Sequence, residues 1–351
     1  MRRECAEKAQ LGKNWLEVGR SVIALSHTPS SVVGEGDVVR MVVRERALSA
    51  MPATPSSSSS SDPWPDAVLP PISGNFPDDE LSTYATRIFR RLRAEARKIE
   101  QESPLAATLA QSAILEHASL PAALAALLAA KLGSCAEECE AIRSTMAAAL
   151  GTAPLLRAVL CDLAKAVAID PAVEAWLQPV LFFKGFHALT THRVAHLLWQ
   201  RGDKPGALLL QSRASERFAV DIHPGARVGN GVMLDHATGV VVGGTAVLGS
   251  DLYILHGTTL GATGKPAPKG AQRHPTLGDG VTLGAGSTVL GGDVRVGDGA
   301  TVGAAALVSR TVPAGAVVVG VNRIQGARQP ANKASTRGAD AELTSPPRAR
   351  L

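Results

Sequence analysis

Aromatic residues and long apolar runs are scarce in this chain of 351 residues. Phe, Trp and Tyr make up 3% of it, although 45% of the residues are hydrophobic. A core must therefore be built mainly from Ala, Val, Leu and Ile. The most apolar run, Ala122–Ala130, is too short to span a bilayer. We therefore expect a soluble protein with no membrane partner, long enough for two domains.

The chain also has few cysteines and little net charge outside its two ends. Of the four cysteines, Cys135 and Cys139 would share a helix face without forming a zinc-ligand pattern, so we expect reduced thiols packed in an intracellular helical domain. The formal charge of +5 comes from the two ends, because residues 51–322 sum to −1. A protein that neutralises phosphates needs a basic face on its folded body. No nucleic-acid partner is expected.

The two ends of the chain are predicted to extend beyond the folded domains. Residues 1–75 contain the serine run Ser56–Ser61 and several prolines, which predict a disordered extension or a transit peptide. Acidic residues such as Glu4 and Glu7 count against a transit peptide, so both interpretations stay open. The expected location is the cytoplasm, or a chloroplast or other organelle if a transit peptide is present. Residues 326–351 are predicted to form a flexible tail.

Residues 76–217 are predicted to form a helical domain. Ile88, Leu92 and Ile99 follow a helical period, and the prolines at 104 and 121 suit the first turns of helices. Alanine-rich helices follow. A later helix carries three histidines that we expect at the surface or between subunits rather than as ligands: His187, His192 and His196.

From residue 218 to 325 the period changes to six. Aliphatic residues recur at this step, as in Ile222, Val228, Leu234 and Val240. Glycine is concentrated in the same region. A period of six matches neither a helix nor simple strand alternation, and it predicts a parallel β-helix with three short sides per coil. Gly261–Arg273 interrupts the repeat, which predicts a loop on a functional face.

Polar residues within the repeats are few, and two adjacent pairs stand out. In Asp235-His236 the carboxylate could support the histidine as a general base. In Arg273-His274 the arginine could grip a substrate carboxylate with two hydrogen bonds. Asp221 could be functional or could cap the junction between the domains. Lone histidines such as His223 and His256 are more often packing residues.

Six segments carry a resemblance to a known family: Arg93–Arg97 (RAEAR), Lys184–Leu189 (KGFHAL), Val220–Pro224 (VDIHP), Leu234–Gly239 (LDHATG), Thr259–Lys265 (TLGATGK) and Arg273–Pro275 (RHP). With them, residues 88–326 resemble the serine O-acetyltransferases of bacteria and plants. The resemblance implies an α+β fold, with an N-terminal all-helical domain followed by a left-handed parallel β-helix. It also implies homotrimers, or hexamers formed as dimers of trimers.

The implied reaction transfers an acetyl group directly from acetyl-CoA to L-serine, the first committed step of cysteine biosynthesis, with feedback inhibition by cysteine. By resemblance, His236 is the general base and Asp221 orients it. Asp170, Asp235, Arg273 and His274 are the residues that bind serine or cysteine. The residues implied for acetyl-CoA are Ala262, Thr263, Gly264, Lys265, Ala285 and Ala304. Acetyl-CoA is a cosubstrate, and no metal or other cofactor is implied.

The chain departs from the family pattern at Ala262, where the family has Gly, and at Gly244, where it has Glu. Many relatives insert a C-terminal Ile into O-acetylserine sulfhydrylase, whereas this chain ends in Leu351. That enzyme is therefore only a candidate partner.

Three alternatives remain open at this point. One is a hexapeptide-repeat acetyltransferase for another hydroxyl acceptor, which would not need Asp170 and Arg273 together. A second is a zinc-dependent carbonic anhydrase of the γ type, which could use His223, His236, His256 and His274. The third is a non-catalytic scaffold.

Overall fold

The computed structural model describes residues 78–320, apart from 267 and 269, and the backbone of residues 323–325. Its first part is helical. The α-helices are α1 (Asp78–Glu102), α2 (Pro104–Ala110), α3 (Leu120–Leu132), α4 (Ala136–Leu150), α5 (Ala153–Ile169), α6 (Leu177–Phe182), α7 (Lys184–Gln200) and α8 (Lys204–Phe218), and a π-helix, Gln111–Leu115, follows α2. The predicted extension at 1–75 and the predicted tail at 326–351 lie outside the described residues.

The helix starts follow the sequence signals. Ser103 and Ser119 accept hydrogen bonds from backbone N–H groups in the first turns of α2 and α3. Proline follows each serine within two positions, where its fixed φ suits the first turn and its missing N–H is not needed. The predicted starts at 104 and 121 are confirmed.

The second part is a parallel β-helix with three faces. The first face contains β1 (Val220–Ile222), β4 (Val240–Val242), β7 (Thr259–Gly261), β10 (Thr288–Leu290) and β13 (Leu307–Val308). The second face contains β2 (Arg227–Val228), β5 (Val247–Leu248), β8 (Thr276–Leu277) and β11 (Arg295–Val296). The third face contains β3 (Met233–Asp235), β6 (Tyr253–Leu255), β9 (Thr282–Leu283), β12 (Thr301–Val302), β14 (Val317–Val319) and β15 (Arg323–Gln325).

Each coil places aliphatic side chains inside, and the coils stack in register. On the first face an inner column runs through paired strand positions and is nearly inaccessible to solvent: Ile222, Val242, Leu260, Val289 and Val308. Neighbouring strands are parallel, except that β15 runs antiparallel to β14. The period of six in the sequence therefore reflects the stacking of equivalent positions, and the predicted β-helix is confirmed.

A buried ion pair joins the helices to the first coil. The guanidinium of Arg193 on α7 makes two hydrogen bonds to Asp162 on α5, at 2.6 and 2.7 Å. Arg193 also donates to the Gly229 carbonyl at 2.8 Å, and Asp162 accepts from the Val232 N–H at 2.9 Å. These bonds fix the turn that leads into β3.

Two sequence expectations are wrong. His187 and His192 lie neither at the surface nor on a face that another subunit could contact, since they are 2% and 4% exposed. Helix α7 is buried along most of its length between the other helices and the first coil, so its histidines are enclosed whatever their polarity. Burial lowers the pKa of His187 to about 4 and that of His192 to about 3. Cys135 is exposed rather than packed.

Within residues 78–320, no helix taken singly has the length and apolar character needed to cross a membrane. Helices α4 and α5 would meet those criteria only as a pair, and they are bent by 93° relative to each other.

Candidate active site

Two corners of the β-helix hold most of the polar residues singled out in the sequence. The His236 corner, between the third and first faces, comprises residues 236–239, 256–258, 284–287 and 303–306. The His274 corner, between the first and second faces, comprises residues 223–226, 243–246, 262–275 and 291–294. In the coil that carries His236, one strand of three residues, β4, separates the two corners. At about 3.3 Å per residue they lie about 10 Å apart.

The backbone of the His236 corner is strained. His236 and Ala237 adopt left-handed φ angles of 53° and 58°. Such angles are uncommon for residues with a Cβ, and they persist only where the surrounding structure enforces them. Strain of this kind concentrates at functional sites. Here it turns the imidazole of His236 outward, with 74% of the side chain exposed.

Asp235 and His256 are the nearest ionisable neighbours of His236. The Nε2 atom of His236 lies 3.9 Å from Oδ1 of Asp235. The ring of His256, one coil further along, meets the His236 ring edge-on with 5.7 Å between centroids. An exposed imidazole beside a carboxylate can take a proton from a substrate hydroxyl, and the carboxylate stabilises the imidazolium that forms.

Helices α5 and α7 reach the same corner. Asp170 caps the C-terminus of α5, where one oxygen accepts a hydrogen bond from the Ala172 N–H at 2.9 Å. Lys184, the first residue of α7, donates to the hydroxyl of Thr238 and so braces the turn that carries His236. Gly185 lets α7 approach β3 closely, since a Cβ there would lie 2.0 Å from the Leu234 carbonyl oxygen.

The His274 corner holds the second predicted pair. The His274 ring lies against Gly243, where a Cβ would approach it within 2.0 Å, so only glycine leaves room for the imidazole. Its Nδ1 accepts from the Thr245 N–H at 3.2 Å, so the neutral ring carries its proton on Nε2. The Thr245 hydroxyl accepts from the backbone N–H groups of Arg273 and His274, at 2.9 and 3.1 Å. These bonds fix the backbone at the end of the loop, where Arg273 is exposed.

Arg273 supplies a positive charge at the His274 corner, whereas the two histidines there are held neutral. Burial lowers the pKa of His274, and the charge of Arg273 lowers it further. Burial also lowers the pKa of His223; the charge of Asp221 opposes this shift, and the charges of Lys204 and Arg273 add to it. The guanidinium of Arg273 suits an anion.

Asp221 is not joined to His236 in the single chain. Its carboxylate accepts a hydrogen bond at 2.6 Å from Gln211 on α8, across the junction of the helices and β1. The carboxylate beside His236 is that of Asp235. The role of Asp221 in orienting the imidazole therefore stays a prediction, and the capping alternative matches its contact with Gln211.

The residues implied for acetyl-CoA fall into two groups. Ala285 and Ala304 lie at the His236 corner, above His256, since Gly286 donates to the His256 carbonyl and Ala305 to that of Ala285. Ala262–Lys265 leave the end of β7 toward the His274 corner, and Thr263 to Lys265 are exposed. The corner that carries His236 thus continues upward as a column of small residues.

The four histidines of the zinc alternative do not gather at one place. His236 and His256 lie at one corner, whereas His223 and His274 lie at the other. Across the described ranges, no group of three or more His, Cys, Asp or Glu side chains is arranged to hold a metal ion.

Known proteins are similar to this chain in sequence and in fold. Residues 88–191 match the family model described as serine acetyltransferase, N-terminal. A probable serine acetyltransferase 1 of Oryza sativa subsp. japonica is 44% identical over 257 residues, which cover 73% of this chain and 84% of the relative. The chain belongs to the serine acetyltransferase family. A probable serine acetyltransferase 4 of the same organism is 50% identical over 204 residues, and the match spans 57% of this chain but 63% of that relative.

Solved structures of the family agree. The soybean serine acetyltransferase complexed with serine has a TM-score of 0.65 and 44% identity, covering 68% of this chain and 97% of that one. A serine acetyltransferase in complex with cysteine has a TM-score of 0.65 and 40% identity, covering 69% and 99%. The predicted fold, a helical domain followed by a left-handed parallel β-helix, is confirmed.

The sequence alone does not single out every polar residue at or beside the His236 corner. Lys184 was noted only as part of a segment, and Tyr253 was not singled out. The Tyr253 hydroxyl donates to Oδ2 of Asp235 at 2.6 Å. Its outward position in a strand, three residues before a corner, is the signal that the sequence offers.

Proposed function

We propose that this chain is a serine O-acetyltransferase that moves the acetyl group of acetyl-CoA to the hydroxyl of L-serine. The observation that carries the proposal is the His236 corner, where a strained backbone presents an exposed imidazole 3.9 Å from the Asp235 carboxylate. Family membership supports the same reaction, because relatives with this fold are named serine acetyltransferases.

The transfer needs one base and no covalent enzyme intermediate. His236 takes the proton of the serine hydroxyl while that oxygen attacks the thioester carbonyl. The new bond joins serine oxygen to acetyl carbon, and the bond between acetyl carbon and CoA sulfur breaks. The imidazolium then returns its proton to the departing thiolate. Asp235 stabilises the imidazolium by its charge, and Asp221 is proposed to orient the ring.

Serine is a zwitterion, so its site needs both signs of charge. Asp170 and Asp235 are proposed to hold the ammonium, and Arg273 with His274 to hold the carboxylate. One serine cannot reach both corners of a single chain across about 10 Å. We therefore propose that the His274 corner of a neighbouring copy completes each site, as in a cyclic trimer. Hexamers built from two trimers extend the same proposal.

Acetyl-CoA is proposed to lie along the His236 corner, with its thioester at His236 and its arm beside Ala285 and Ala304. Small side chains there leave the backbone open to hydrogen bonding. Loop residues 262–265 are proposed to contribute from the end of β7. Ala262 adds a methyl group where the family has glycine, so CoA affinity is the quantity this departure would change.

Cysteine presents the same ammonium and carboxylate as serine, so we propose that it competes for the same site. A relative has been solved in complex with cysteine. We propose that the reaction supplies O-acetylserine for cysteine synthesis, with O-acetylserine sulfhydrylase as a candidate partner. We propose an intracellular location, in the cytoplasm or in an organelle such as the chloroplast, which imaging of tagged full-length protein would decide.

The test of the activity is release of free CoA from acetyl-CoA with serine, with sugars and with no acceptor. The proposal predicts release that depends on serine. Release with sugars only would favour another hydroxyl acceptor, and none with any acceptor would favour a scaffold. A parallel assay after treatment with a strong chelator should be unchanged, whereas a zinc-dependent enzyme would lose activity.

The shared site has its own test, in which His236→Ala and Arg273→Ala chains are mixed, unfolded and refolded together. Each variant alone has only defective sites. Random reassembly of equal amounts makes about three quarters of the trimers mixed, and each mixed trimer has one site that combines an intact His236 with an intact neighbouring Arg273. About one quarter of all sites are then intact, so activity should return to about that fraction. No recovery would show that each site lies within one chain.

A further inference from the structure

Tyr253 is hydrogen-bonded to Asp235, one of the two carboxylates proposed to bind the substrate ammonium. It lies on β6 of the third face, one coil above β3, which ends at Asp235. Its hydroxyl donates to Oδ2 of Asp235 at 2.6 Å. The other carboxylate oxygen, Oδ1, is the one that lies 3.9 Å from His236. The two oxygens of Asp235 are therefore assigned to different neighbours.

The Tyr253 hydroxyl is held in its donor form. Burial raises the pKa of Tyr253, the hydrogen bond to Asp235 raises it further, and the charges of Asp235 and Asp170 add to the shift. The phenol therefore stays protonated and remains a donor to Asp235.

We propose that Tyr253 is a positioning residue for the acceptor site, holding the Asp235 carboxylate in the orientation that receives the serine ammonium. This proposal rests on the proposed function. The terminal torsion of an aspartate is broad, so an untied carboxylate rotates. The bond to Tyr253 restricts that rotation, and a group fixed before binding loses less entropy when the ligand arrives.

The kinetic test is Tyr253→Phe, which removes only the hydroxyl. Loss of a hydrogen bond to a charged group should raise KM for serine on the order of 10-fold. KM for acetyl-CoA should stay unchanged, and kcat should change much less than KM for serine. Thr282→Val is the matched control, since Thr282 pairs with Tyr253 on the next coil and also loses a hydroxyl.

A spectroscopic test is independent of turnover. The chain has two tyrosines, Tyr84 and Tyr253, so protein labelled with ¹³C at the tyrosine Cζ gives two signals. The proposal predicts that serine shifts the Tyr253 signal and leaves that of Tyr84, which is buried among the helices. Asp235→Asn should move the Tyr253 signal in the free protein. The spectrum of Tyr253→Phe assigns the two signals.

The outcomes separate the two proposals. Wild-type kinetics in Tyr253→Phe, or a Tyr253 signal unaffected by serine and by Asp235→Asn, would overturn the positioning role while serine-dependent turnover stands. An equal fall in kcat with a rise in KM for acetyl-CoA would show a merely structural role and would also overturn it. If the wild type had no serine-dependent turnover, the proposed function would fail, and the spectra would still decide whether Tyr253 holds Asp235.

Discussion

Breaking the buried Asp162–Arg193 ion pair should destabilise the fold far more than breaking a surface pair. Asp162 is 1% exposed and the Arg193 side chain 7% exposed. The Asp162→Ala variant would leave the guanidinium buried with one carbonyl acceptor at 2.8 Å, Gly229 O, and a second at 3.4 Å, Val228 O. The Val232 N–H would lose its partner as well.

The size of the effect follows from this burial. Removing one partner of a buried ion pair costs about 3–5 kcal/mol, because the remaining charge has been taken out of water without compensation. The matched control is Glu140→Ala. Glu140 pairs with Arg143 at 2.6 Å, a distance equal to that in the buried pair, but the two side chains are 62% and 51% exposed. A pair of that kind contributes about 0–1 kcal/mol.

Urea unfolding at one fixed protein concentration measures both variants, because an oligomer's stability depends on concentration. Asp162→Leu combined with Arg193→Met removes both charges and should recover much of the loss seen in Asp162→Ala. If Asp162→Ala lowered the free energy of unfolding no more than Glu140→Ala, the reasoning about the buried charge would be refuted.

Two further predictions concern pH and regulation. The pKa of His192 in the folded protein is about 3, below its ordinary value of 6.5, so the unfolded chain binds more protons in acid. The free energy of unfolding should therefore fall as the pH drops from 6.5 toward 4. For this residue the fall is up to about 1.4 kcal/mol per pH unit. Urea titrations of His192→Leu should show a slope shallower by that amount, and an unchanged slope would contradict the assignment. Arg273→Ala should weaken serine use and cysteine inhibition together, as measured by titrating each ligand at fixed acetyl-CoA. Cysteine inhibition that survived unchanged would contradict the shared site.

The regular parts of the fold could be predicted from the sequence because their signals are local. Proline after a capping serine marks a helix start within a few residues, and a period of six records the stacking of coils directly. Burial of His187 and His192 could not be predicted in this way. Their burial depends on how the other helices and the first coil enclose α7. Histidine is a polar residue, and this alone led to the prediction that both side chains lie at the surface or between subunits.

The site was predicted where its residues are neighbours in sequence. Asp235 and His236 are adjacent, as are Arg273 and His274, so each pair was visible as a unit. Tyr253 reaches Asp235 across 18 positions only because one coil stacks on the next in a particular register. The bond between Asp221 and Gln211 depends likewise on how α8 meets β1. Contacts of this kind can be predicted only when the length of each coil and the geometry of the junction between α8 and β1 are known.

The central claim is that His236 is the base that activates serine, and the most direct measurement compares two histidine-to-alanine variants at the same corner. Serine-dependent CoA release should fall about 10²–10⁴-fold in His236→Ala, in protein that still folds and assembles as the wild type does. His256→Ala removes the neighbouring imidazole, whose ring centroid lies 5.7 Å away, and should lose less than about tenfold. Turnover in folded His236→Ala equal to that of the wild type would contradict the account.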